Sequence, residues 1–136
     1  MLNSNFDQQR VFVVGEDSLF EEGVTYLLAE RTDYLVSKAK FSDELIFLDT
    51  IKQENPDVIL VCESGSMDAE RIINLISSQL FMMALFIVVI RLRNNVIDIY
   101  EIPANVSEKM YFNSGRIVAD SEEDLLNVLR REHHAQ

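Results

Sequence analysis

Few residues in this chain are suited to chemistry: the adjacent acids Glu16 and Asp17, the lone thiol Cys62 and the cation Arg91. Each stands at or just beyond the end of a short apolar run. Neighbouring acids can hold a divalent cation, a thiol can act as nucleophile or redox sensor, and an arginine can read a phosphate or neutralise a carboxylate. His133 and His134 are adjacent near the end of the sequence, where a solvated tail is expected. With one cysteine there is no internal disulfide, and no Cys/His cluster has the spacing of a zinc site.

The elements that position these groups are legible from periodicity. Val11-Phe12-Val13-Val14, stopped by Gly15, and Val58-Ile59-Leu60-Val61, ended by Cys62, are continuous apolar runs of the kind buried on both faces of a parallel sheet. Leu85 to Ile90 is a third such run, and Tyr34 to Phe41 reads as another strand. Between them lie helical patterns. Ser18 and Glu21 form a capping box before Leu19, Phe20, Val24, Leu27 and Leu28. Ser42, Asp43 and Glu44 open a helix whose buried stripe is read as Leu45, Leu48 and Ile51, and Met67 to Leu80 turns Ile72, Ile73 and Ile76 inward. The alternation predicts one α/β domain, a three-layer, flavodoxin-like, doubly wound and mostly parallel sheet of five strands.

Composition narrows the function classes. The 136 residues are 48% apolar and 26% charged, which fits one folded domain, and the net charge of -11 would repel a phosphate backbone. No nucleic-acid binding is expected. Leu80 to Ile90 is about half of the ~20 residues a membrane-spanning helix needs, and Met1 to Arg10 lacks a secretory pattern. The expectation is a cytoplasmic protein without membrane contact. Only 4 glycines occur, and Gly15 precedes two acids, so no phosphate-cradling loop is present.

In an open parallel sheet, function collects at the C-terminal strand ends, here Gly15, Glu16, Asp17, Cys62 and Arg91. The stretch Val13-Val14-Gly15-Glu16-Asp17-Ser18-Leu19-Phe20-Glu21-Glu22-Gly23-Val24, with Leu27-Leu28 after it, resembles the opening of response regulator receiver domains, particularly those preceding a helix-turn-helix output domain. Asn55-Pro56-Asp57-Val58-Ile59-Leu60-Val61 is similar to their third strand with its preceding turn, and the resemblance spans residues 10 to 92. It implies two acids after strand one that hold magnesium, an aspartate ending strand three that takes a phosphoryl group, and a Thr or Ser and a Lys that read it. Position by position, the acid pair falls on Gly15 and Glu16, the phosphoacceptor on Cys62, and the Thr/Ser on or beside Arg91; no Lys-Pro pair follows strand four.

Magnesium wants several hard oxygen ligands, and a single carboxylate with a neutral thiol supplies too few. The resemblance therefore implies a pseudo-receiver: no enzyme, no metal, no cofactor, and a role in binding a protein partner in signal transduction. Burial and the neighbouring Glu16, Asp17 and Glu63 are expected to disfavour the Cys62 thiolate. Glu16 and Asp17 are either solvated acids near a helix start or, for Glu16, a partner of Arg91, which then stands in for the cation. Two other readings stay open: the regulatory domain of a transcription regulator switched by a signal other than phosphate, and a small-molecule-binding protein of the same fold.

After Ile90 the pattern changes. Arg93-Asn94-Asn95 suits a tight turn, so Val96 to Ile102 is expected to run back along the preceding strand at the sheet edge in place of a fourth helix. Arg116 to Ala119 can add a short strand before a last helix with Leu125, Leu126, Val128 and Leu129 inside. A free apolar edge invites pairing. Ile97, Ile99, Tyr100, Met110, Tyr111 and Phe112 are accordingly the candidate surface of a homodimer.

Overall fold

The computed structural model describes residues 8–16, 19–40, 43–63, 68–79, 84–91, 93–102 and 112–135. The apolar runs become β1 (Gln9–Gly15), β3 (Val58–Glu63) and β4 (Leu85–Arg91), joined by β2 (Tyr34–Lys40), β5 (Val96–Ile102) and β6 (Phe112–Val118). The helices are α1 (Leu19–Ala29), α2 (Glu44–Glu54), α3 (Ala69–Gln79) and α4 (Glu122–Ala135). The sheet runs β2-β1-β3-β4-β5-β6. Its first three pairings are parallel and its last two antiparallel. The order β2-β1-β3-β4 is the flavodoxin-like one, so this is a doubly wound, mostly parallel α/β fold.

Side chains alternate across each strand and sort into two cores. Phe12, Val14, Ile59, Val61, Ile87 and Val89 pack under α2 and α3. Val11, Val13, Leu60, Cys62, Val88 and Ile90 pack under α1 and α4. Local chemistry sets the helix limits. The Asp43 side chain accepts the Ile46 N–H at 3.0 Å and caps α2. At its far end Asn55 takes a left-handed conformation, φ 49°, and donates its N–H to the Ile51 carbonyl.

The hairpin forms as expected, with Arg91 opposite Val96 and Asn95 at φ 53° in the turn. Its surroundings differ from the expectation. The sheet has six strands rather than five, because the segment read as a short strand at Arg116 to Ala119 is the full strand β6. β6 pairs along β5 and takes the edge, so β5 is an interior strand. Leu45 is 75% exposed, and the buried side chains of α2 are Phe47, Leu48 and Ile51, a stripe rotated from the expected one. His133 and His134 belong to α4 rather than to a tail. Among the described residues no helix is long and apolar enough to cross a membrane.

Candidate functional site

Successive residues of a strand point to opposite faces, and this separates the groups that the sequence placed together. Cys62 lies in the core under α1, whereas Glu63, the last residue of β3, points to the α3 side and binds there. Two clusters result.

On the α1 side the strand ends are closed by a residue the sequence reading assigned to a helix cap. Glu21 is fully buried, and a Cβ placed on Gly15 would overlap its carboxylate. Gly15 is thus required by close approach: the Glu21 side chain occupies the space that a side chain at position 15 would fill. Lys38 Nζ, from β2, stands 4.0 Å from Glu21 Oε2. Burial, and then the charge of Glu21, push the Cys62 thiol up to about 12. The negative neighbour is therefore Glu21, not Glu16 or Glu63. Glu16 is exposed beyond the end of β1, and Asp17 lies outside the described residues.

On the α3 side Arg91 anchors an ion-pair network. Its Nε donates to Asp98 Oδ2 at 2.7 Å, one terminal nitrogen to Glu63 Oε1 at 2.9 Å, and the other to Glu70 Oε2 at 2.8 Å and the Tyr100 hydroxyl at 3.0 Å. Arg116, across from Asp98 on β6, donates through Nε at 2.6 Å and a terminal nitrogen at 2.9 Å to the same carboxylate. Glu63 also accepts the Ala69 N–H at 3.1 Å, tying β3 to the start of α3. Burial by itself would lower the Arg91 pKa, but the hydrogen bonds it donates to Asp98, Glu63 and Glu70 outweigh it and hold the guanidinium protonated more firmly than usual. Burial, then Glu70, raise the Tyr100 hydroxyl. Of the two readings for Glu16, the pair with Arg91 gives way to these three carboxylates. Glu63, Glu70, Asp98 and Arg116 were missed as site residues, although Asp98, an acid within an apolar strand two positions along from the residue that faces Arg91, carried a signal.

Glu21 fills the space over Gly15, the Cys62 thiol is neutral, and Arg91 is already bound to internal carboxylates. Among the described residues no cluster of three His, Cys, Asp or Glu is placed to hold a metal ion. Comparison with known proteins adds a solved neighbour. The chain is similar to the signal receiver domain of the putative response regulator NarL from Mycobacterium tuberculosis, at 24% identity over 62% of this chain and 68% of that one, with a TM-score of 0.47. No family model matches, and no curated protein does.

The candidate dimer surface is altered as well. Ile97 and Ile99 are buried under α1 and α4, and Tyr100 is buried on the opposite face. They complete the monomer core because β6 covers the edge they were expected to expose. Met110 and Tyr111 lie outside the described residues, and Phe112 is placed only as the first residue of β6.

Proposed function

We propose that the protein is a receiver-like signalling module that does not accept a phosphoryl group and works by binding a protein partner. One observation carries the reading: the position of the phosphoacceptor holds a buried thiol whose pKa is pushed to about 12, next to a carboxylate that α1 itself supplies. A thiol of this kind is a poor nucleophile, and a site already filled from within leaves little room for magnesium and phosphate. The Arg91 network supports the same reading. Where a switch would need a free hydroxyl to follow the phosphate, this chain ties β3, β4, β5 and α3 together by a charge that does not titrate near neutrality.

Intact mass after incubation with acetyl phosphate and magnesium tests the proposal. The expected result is no mass change for the wild type. A gain of one phosphoryl group that Cys62→Ala abolishes would overturn it. Cys62→Asp alone should not restore a phosphate-dependent change of oligomeric state, because Glu21 still fills the space over Gly15.

A further inference from the structure

Between α1 and the start of α4 lies an open cleft of about 390 Å³. Its floor is apolar, from Phe20, Leu27, Ile97 and Leu125, and Asp120 and Glu122 stand among its lining. Gly23, mid-helix in α1, also lines it, and a Cβ there would meet nothing within 4 Å. Gly weakens a helix interior, and here no internal packing requires it; its one structural effect is to let another backbone come close. The apolar surface continues outward along α1, where Leu19 is 86% and Tyr26 67% exposed. Leu19, Gly23 and Tyr26 fall at i, i+4 and i+7, one face of the helix.

The charge around the cleft selects its occupant. The first turn of α4 carries Glu122, Glu123 and Asp124. Just before it, the N–H groups of Asp120 and Ser121 are taken by Asp124 Oδ2, at 2.7 Å and 3.0 Å. Arg91, which also lines the cleft, has its guanidinium committed to three carboxylates. An anionic group therefore meets Asp120, Glu122 and a guanidinium already bound to carboxylates, in a chain of net charge -11.

We infer that the cleft between α1 and α4 docks a basic amphipathic helix of a protein partner, its apolar side chains seated beside Gly23 and its Lys or Arg side chains against Asp120 and Glu122. This rests on the reading of the protein as an interaction module and names the surface and the partner's chemistry. Apolar anchors at i, i+3, i+4 and i+7 in a groove are a recurrent mode of helix recognition, and the acidic rim adds orientation and rate.

The test uses the intact chain and a fluorescein-labelled Leu/Lys peptide of about 18 residues, or five helical turns. Anisotropy at about 0.15 M salt should show saturable binding. It should weaken about tenfold with Gly23→Leu, which fills the cleft, and likewise with the double variant Asp120→Lys/Glu122→Lys. Leu45→Lys, on α2, should leave it unchanged. A Leu/Glu peptide of the same pattern and a shuffled Leu/Lys peptide should both bind at least about tenfold more weakly. Circular dichroism checks that Gly23→Leu folds; where it does not, the Asp120/Glu122 variant decides. Absence of binding, equal binding of the shuffled peptide, or no loss in the folded cleft variants overturns the proposal. Sedimentation showing a wild-type dimer that Gly23→Leu dissociates also overturns it, because the occupant is then a second copy. Failure of these arms leaves the phosphodonor result standing, and phosphorylation of a protein that binds the peptide sinks only the reading of the pocket.

Discussion

Removing Arg91 should expose how much the internal ion pairs hold this fold together. The Arg91 side chain is 12% exposed, and its partners differ in exposure: Asp98 0%, Glu63 25% and Glu70 49%. In Arg91→Met, Glu70 can rehydrate, so its pair contributes close to nothing. Glu63 keeps the Ala69 N–H and loses one charged hydrogen bond, about 1 kcal/mol. Asp98 keeps both bonds from Arg116 but loses the 2.7 Å bond from Arg91 inside the protein, about 2 kcal/mol. The sum is about 3 kcal/mol, or roughly 10 °C in Tm for a domain of this size. Arg116→Met should cost less, because that side chain is itself solvated and Arg91 remains on Asp98. The double variant should cost more than the two losses added, since a fully buried carboxylate then loses both guanidinium partners. Urea unfolding followed by circular dichroism measures all three; urea is uncharged and leaves the ion pairs unscreened. A loss below about 0.5 kcal/mol for Arg91→Met, or strict additivity of the double variant, would refute the reasoning.

Two further expectations concern the α1 side. With its pKa near 12, Cys62 should be about one part in ten thousand thiolate at pH 8, so iodoacetamide should label it only after unfolding; rapid labelling of the native protein contradicts this. The raised pKa also has a linkage consequence: from the ordinary 9.0 up to about 12 the unfolded chain has lost a proton that the folded one keeps, so stability falls as pH rises through that window, and Cys62→Ala should flatten the fall. Gly15→Ala should cost about 1 to 3 kcal/mol by forcing the Glu21 carboxylate aside, and Glu21→Ala should relieve that cost in the double variant. A Gly15→Ala protein with an unchanged urea midpoint would remove the close-approach argument.

Much of this protein is present in local pattern. The runs at Val11, Val58 and Leu85 become β1, β3 and β4, the Asn-rich turn becomes the hairpin, and the missing acids at Gly15 and Cys62 are visible in residue type alone. These depend on propensity and on neighbours a few positions away, which a linear sequence displays. Long-range packing decided the rest. Glu21 has the spacing of a capping-box acid, yet it is buried because Gly15, across a turn, leaves room for its carboxylate. Cys62 and Glu63 are adjacent in the chain but serve different cores, since the pleat sends them to opposite faces and only the placement of α1 and α3 says what waits there. Leu45 and Leu48 share a helical stripe in sequence, and the packing of α2 through Phe47, Leu48 and Ile51 buries one and exposes the other. Ile97, Ile99 and Tyr100 read as an exposed edge until β6 pairs along them, and whether an edge is free depends on a segment that arrives later in the chain.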